Sequence, residues 1–310
     1  MHRTLGGQPT VGQQEVETHL ESEHAGAQYT VEEYSEVSEL TFTRAGLRTL
    51  LATSPLGSLA WIWVEYLFDQ VSALRYLRTA DLSPHWRGEA LDRGYHLHRV
   101  SSGGWLEQEL RTPGMLDVTS AVGAPPEWLV TTSRQSLNVL GSEPLVRERR
   151  RSAGGRPDSH DARGAGRSPR KAATLGLAAE PSGPMYSAAS SDIVELALAS
   201  PGSDGLRVVV ATRAKSGGES ICVEYLFTRC RGFRCLDEGD LARFWASDTL
   251  RPGHHLYRIV SGGWLDQELG VSGMFSTAGG SKEWLIATGG RSASVLAGEE
   301  PPLVREFRWR

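Results

Sequence analysis

The chain has 310 residues, of which 23% are charged and 39% are apolar, and its formal net charge is −4. These values are typical of a soluble globular protein with about two domains. The acidic balance argues against general nucleic-acid binding, which needs a basic surface. No apolar run approaches the roughly 20 residues of a membrane span, and the start of the chain lacks the apolar core of a secretory signal. The sequence therefore predicts a cytoplasmic protein.

The first predicted elements are an unstructured segment and three strands. Residues 1–30 are polar and show no sustained hydrophobic period, which predicts disorder. Residues 38–42 alternate as in a strand, and residues 47–51 form another apolar segment. Residues 61–68 are apolar except for Glu65, and their aromatic and β-branched content favours a strand covered on both faces.

One stretch occurs twice in the chain. Residues 95–110 read YHLHRVSSGGWLEQEL, and residues 254–269 read HHLYRIVSGGWLDQEL. Extended residues on both sides of a glycine pair predict two short strands around a tight turn, and a strand bent at a glycine bulge is the alternative. A phosphate-binding loop is disfavoured because the glycines lack the spacing of a P-loop or of a dinucleotide fingerprint.

The repeated stretch indicates a tandem duplication. We expect two tandem copies of a small, β-rich α+β domain, mainly antiparallel and with one short helix each, over residues 31–148 and 185–310. In the second copy the helix is predicted at residues 240–245, where the apolar side chains share one face. Residues 149–184 are rich in Arg, Gly, Ala and Pro and predict a flexible linker. Its basic first part is where weak nucleic-acid contact is expected, if any.

All three cysteines lie in the second copy, at positions where the first copy has apolar residues. This pattern favours packing for Cys222, Cys230 and Cys235. A bridge between Cys230 and Cys235 is the less favoured alternative, because an odd count does not indicate a disulfide framework.

Residues that recur in both copies are the candidates for function. Trp105 and Trp264 are predicted core residues, with an exposed anchor for a protein partner as the alternative. A second set consists of recurring histidines, arginines and glutamates. Its members are His96, His255, Arg99, Arg258, Glu109 and Glu268.

The sequence predicts no catalytic residues, no metal site and no cofactor. No serine or cysteine accompanies the recurring histidine in a nucleophile-elbow context. His96 and His98 are spaced to share a strand face, but Tyr257 replaces the second histidine in the other copy. The carboxylates Glu107 and Glu109 are expected on one face of an exposed strand, where they would be solvated.

Two functions remain in consideration. The first hypothesis is a non-catalytic protein-binding module of bacterial type, such as an immunity protein that neutralises a toxin partner. The absence of a reactive motif and the different surface charges of the two copies favour it. The alternative is an enzyme or small-ligand binder that uses the recurring His/Arg/Glu cluster. A concave pocket that gathers those residues would favour the alternative, and their scattering over a sheet would favour the binding module.

Overall fold

In the computed structural model, the described part of the chain is mostly antiparallel β-sheet. The described residues are 20–30, 35–55, 61–78, 91, 94–111, 125–132, 135–150, 177–199, 205–213, 220–237, 249–251, 253–266 and 281–308. The predicted helix at 240–245 and the candidate Glu268 lie outside them.

The first half of the chain contributes ten strands and one short helix. In chain order they are β1 (Glu21–Ala25), β2 (Tyr29–Thr30), β3 (Glu36–Thr43), β4 (Gly46–Pro55), β5 (Ile62–Phe68), β6 (Val71–Leu77), β7 (Leu97–Ser102), α1 (Trp105–Arg111), β8 (Glu127–Thr131), β9 (Ser136–Gly141) and β10 (Leu145–Arg150). The strands predicted at 38–42, 47–51 and 61–68 are confirmed as parts of β3, β4 and β5.

The second half contributes nine strands. They are β11 (Ala178–Met185), β12 (Ser187–Leu198), β13 (Leu206–Arg213), β14 (Ser220–Phe227), β15 (Gly232–Asp237), β16 (His254–Ser261), β17 (Lys282–Ala287), β18 (Arg291–Ala297) and β19 (Leu303–Phe307). Neighbouring strands in both halves run antiparallel, which confirms the predicted mainly antiparallel, β-rich architecture.

The strands form two sheets to which both halves of the chain contribute. The ten-stranded sheet has the order β1-β7-β8-β9-β6-β15-β18-β17-β16-β11. The nine-stranded sheet follows β10-β5-β4-β3-β12-β13-β14-β19, and β2 adds to β4. In each sheet, the strands of the second half follow in the reverse order of their counterparts in the first half. The halves meet at the pairs β6–β15 and β3–β12. The two halves therefore share each sheet.

Two predictions of irregular chain are wrong in part. Strand β1 pairs with β7 and β2 pairs with β4, although both lie in residues 1–30, where disorder was expected. Strand β11, which pairs with β16, lies almost wholly in the predicted linker. Backbone hydrogen bonds to an existing sheet hold these segments, and Tyr29 of β2 is also buried in the central apolar cluster.

Side chains at alternate strand positions fill the space between the sheets. In β5 these are Val64, Tyr66 and Phe68, all fully buried in the central apolar cluster. The rings of Tyr76 and Phe233 lie 5.3 Å apart across the β6–β15 pair, so the central cluster is continuous between the halves. All three cysteines are buried and free, which confirms their prediction as packing residues.

The outer face of the ten-stranded sheet carries two further buried clusters, and each contains a tryptophan. The cluster of Trp105 includes leucines of the second half, namely Leu236, Leu250 and Leu285. The cluster of Trp264 includes leucines of the first half, namely Leu77, Leu91 and Leu129. Each tryptophan therefore packs into a cluster that the other half helps to build.

Because the halves share both sheets, we expect them to stay associated after the chain is cut. A protease site inserted between Gly164 and Ala165, inside the predicted linker, would allow cleavage of the folded protein. The two fragments should co-elute in native size-exclusion chromatography and separate only in denaturant. Fragments that elute separately without denaturant would contradict the shared sheets.

Candidate functional site

The repeated Gly-Gly-Trp stretch forms a strand-to-helix turn. Strand β7 ends at Ser102, and α1 begins at Trp105. Gly103 has φ +70°, a conformation that glycine adopts without strain, and a Cβ at Gly104 would overlap the carboxylate of Glu127. The predicted second strand over 105–110 is therefore wrong, and this segment is helical.

Side-chain carboxylates stabilise the start of α1. Glu127 of β8 accepts hydrogen bonds from the backbone N–H groups of Trp105 and Leu106, each at 3.0 Å. Glu107 accepts one from the N–H of Gly103 at 2.6 Å. These bonds satisfy amides that a helix leaves unpaired at its N-terminus. They explain the preference for helix over strand.

The second half repeats this turn. Glu283 of β17 accepts a hydrogen bond from the Leu265 N–H at 2.8 Å, and Asp266 accepts one from Gly262 at 2.6 Å. Burial raises the pKa of the Glu283 carboxyl above its usual value. In both halves, the amides that an anion would bind already hold a carboxylate of the chain itself. The glycine pairs therefore serve as structural turns.

Trp105 and Trp264 are core residues. Both side chains are fully buried, so the exposed-anchor alternative is wrong for these residues. Their rings are covered by arginine guanidinium groups, Arg75 over Trp105 and Arg234 over Trp264, each at 5.5 Å from the ring centroid. Such cation–π contacts strengthen when they are desolvated.

The two arginines lie directly opposite each other on β6 and β15, where the halves meet. Arg234 donates to Glu109 of α1 at 2.6 Å, and Glu109 also accepts a hydrogen bond from Trp105 Nε1 at 2.7 Å. Arg75 donates to Asn138 Oδ1 at 3.2 Å. Buried charges persist only with partners of this kind. Glu109 therefore joins the helix of the first half to the central strand of the second.

His96 bridges the two sheets. Its Nδ1 lies 2.6 Å from the Thr131 carbonyl oxygen, and its Nε2 lies 2.8 Å from the Thr53 hydroxyl. A carbonyl only accepts, so Nδ1 carries the proton and Nε2 accepts from Thr53. The ring stacks on Tyr29 at 5.5 Å. Burial lowers the pKa of His96 to about 4, so the imidazole is neutral at pH 7.

His255 has the same stacking but different polar contacts. Its ring stacks on Tyr186 at 5.3 Å, as His96 stacks on Tyr29. Neither ring nitrogen has a hydrogen-bond partner among the described residues. Burial lowers the pKa of His255 to about 4 as well. The neutral ring therefore fills space between aromatic neighbours.

The described members of the recurring His/Arg/Glu set, which exclude Glu268, are not gathered at one place. His96 lies between the sheets, whereas Glu109 reaches Arg234 on the opposite face of the ten-stranded sheet. Arg99 is exposed and Arg258 is half-buried. The turn at Gly103 explains this separation, because it redirects the chain into α1 over the outer face.

The outer face of the nine-stranded sheet carries ion pairs that the sequence did not identify as a group. Arg48 donates to Glu65 at 2.6 Å and to Glu39 at 2.8 Å, and Arg149 donates to Glu65 at 3.0 Å. The pKa of Glu65 is lowered, chiefly by the hydrogen bond from Arg48. In the sequence, the indication of this site is Glu65, the single acidic residue within the apolar run of β5.

The second half carries the corresponding pairs. Arg207 donates to Glu224 at 2.5 Å and also binds Glu195. At the two ends of this sheet, Leu145 and Leu303 are 53% and 51% exposed. They occupy the first positions of the edge strands β10 and β19.

Comparison with family models, curated proteins and solved structures finds no match to this chain. Within the described ranges, no group of three or more His, Cys, Asp or Glu residues is arranged to hold a metal ion. No helix there has the length and apolar character that crossing a membrane requires.

The Glu109–Arg234 ion pair should contribute strongly to stability. Glu109→Ala leaves the Arg234 guanidinium buried without its carboxylate, so we expect a loss of about 3–5 kcal/mol in the free energy of unfolding. Arg44→Ala is the control, because its pair with Asp192 is exposed and such pairs contribute about 0–1 kcal/mol. Urea unfolding of both variants checks this, and equal losses would contradict it.

His96 and His255 should make the fold acid-sensitive. Their folded pKa of about 4 lies below the ordinary value of 6.5. The unfolded chain therefore binds more protons between these values, and stability falls as pH drops from 6.5 towards 4. The slope contributed by each histidine reaches about 1.4 kcal/mol per pH unit.

A matched pair of variants separates the two histidines. His255→Phe keeps the stacked ring and removes no hydrogen bond seen among the described residues, so stability at pH 7 should be unchanged or higher. His96→Phe loses the bonds to Thr53 and Thr131 and should destabilise by about 1–3 kcal/mol. Both should reduce the loss of stability between pH 6.5 and 4. Unfolding curves across this range measure it, and an unchanged slope would contradict the assignment.

Proposed function

We propose that this chain is a non-catalytic, cytoplasmic protein-binding module of bacterial type, built by tandem duplication of one β-rich unit. An immunity protein that neutralises a toxin is the specific form of this function that we favour. The mirrored strand order of the two halves supports the duplication. So do the matching positions of His96 and His255, and of Trp105 and Trp264.

The main support for the proposal is that the recurring polar residues are buried, whereas two recurring leucines are exposed. The recurring polar residues that chemistry would require, such as His96, Glu109 and Glu127, are buried in contacts that hold the fold together. The recurring Leu145 and Leu303 are about half exposed, although leucine is among the residues most often buried. Apolar residues exposed at the same place in both halves are expected of a binding surface.

The composition of the outer face supports the same function. Leu145 and Leu67 lie opposite each other on β10 and β5, and Leu303 and Leu226 do so on β19 and β14. Arginines lie beside these leucine pairs, and Trp63 is on the same face of β5. Arginine and tryptophan are enriched at interface hot spots.

The enzyme or small-ligand alternative needs His96, Arg99 and Glu109 in one pocket. Their separation across the ten-stranded sheet counts against it. No contact among the described residues brings the three together.

Affinity capture with the full chain tests the proposal. Immobilised wild-type protein should retain a protein partner in stoichiometric amount from a native lysate, and Arg147→Glu combined with Arg305→Glu should abolish retention. Arg44→Glu is the control, because it reverses an exposed charge outside the edge strands. If no protein is retained and a small molecule or metal stabilises the fold, the alternative function is favoured.

A further inference from the structure

We propose that β10 and β19 each bind an acidic, extended segment of the protein partner by strand addition. This inference rests on the proposed function and names its binding mode. Strand addition uses backbone hydrogen bonds for affinity and alternate side chains for specificity.

The first support is the position of both strands at the two ends of one sheet. Among the described residues, β10 pairs with β5 and β19 pairs with β14 on one side. Backbone N–H and C=O groups on the other side of each strand point away from the sheet. Such groups form the template to which a further strand adds.

The second support is the side chains that these strands direct to the outer face. In β10 the outward positions are Leu145, Arg147 and Arg149, which lie opposite Leu67, Glu65 and Trp63. In β19 they are Leu303, Arg305 and Phe307, opposite Leu226, Glu224 and Cys222. Each edge therefore presents an exposed leucine followed by an arginine. On this face an added strand would meet one apolar and two basic positions at β10, and two apolar positions and one basic position at β19.

Charge identifies the partner as acidic. The nearest carboxylates on the outer face are already engaged, Glu65 by Arg48 and Arg149, and Glu224 by Arg207. Arg147 makes no ion pair within the described ranges, and Arg305 lies 3.9 Å from the already bonded Glu224. A segment with an apolar and an acidic side chain two residues apart, and therefore on one strand face, would match the leucine and the arginine of each edge. Pairing of two β10 edges from separate molecules would bring arginines together, which disfavours self-association.

The two edges predict two binding events for each chain. They lie at opposite ends of the same sheet and carry the same Leu-x-Arg pattern. A partner with two such segments would engage both and gain avidity without any new contact.

The test uses the full chain and a short synthetic peptide that repeats Val-Thr-Glu-Thr, which in a strand places valine and glutamate in turn on one face. Calorimetric titration should give two peptides bound per chain, with affinity that falls as salt rises. Hydrogen exchange should slow at the amides of β10 and β19. A peptide with lysine in place of glutamate is the matched control and should not bind.

Two edge variants and one control variant test the binding site. Leu145→Glu and Leu303→Glu should each remove one of the two binding events, because each removes an apolar contact and places a like charge beside the acidic peptide, and affinity at that edge should fall at least about 10-fold. Val260→Glu is the control, because Val260 is 59% exposed on β16 of the other sheet, and it should leave binding unchanged.

Several outcomes would overturn the proposal. They are no binding of the acidic peptide, equal binding of the basic peptide, and an equal effect of Val260→Glu. A captured native partner whose binding is unchanged in the Leu145→Glu, Leu303→Glu double variant would overturn strand addition while leaving the protein-binding function intact.

Discussion

The structure depends on the arginine pair at its centre. Arg75 and Arg234 face each other across β6 and β15, the pair that joins the halves among the described strands of the ten-stranded sheet. Two like charges placed side by side in a buried layer would repel, so each needs compensation. Glu109, Asn138 and the tryptophan rings provide it. The pairing of β6 with β15 is therefore tied to the placement of α1.

This arrangement explains why the repeated stretch has its particular residues. The glycine at 104 leaves room for the Glu127 carboxylate, that carboxylate holds the start of α1, and the helix carries Trp105 and Glu109 to the arginines. The position of each group in this series therefore depends on the group before it. A sequence repeat that seemed a candidate for binding is the internal framework of the fold, and the binding surface that we propose lies on the other sheet.

Much of the strand content was predictable, because a nearly continuous run of apolar, aromatic and β-branched residues such as that of β5 indicates a buried strand. The helix at Trp105 was missed although Leu, Glu and Gln are good helix formers, since a carboxylate that caps it comes from Glu127, at the start of the next strand and 22 residues after Trp105. The shared sheets could not be predicted either. A strand such as β6 has the same local sequence signal whether its neighbour comes from its own half or from the other.

Each tryptophan packs into a cluster that the other half of the chain helps to build. This arrangement has a consequence for synthesis of the chain. When Trp105 leaves the ribosome, the leucines of its cluster at 236, 250 and 285 have not been made. At about 5–20 residues per second, the wait lasts on the order of ten seconds. During that time the outer face of the nascent first half exposes apolar surface. A nascent chain in this state is a natural client for chaperones that bind at the ribosome exit.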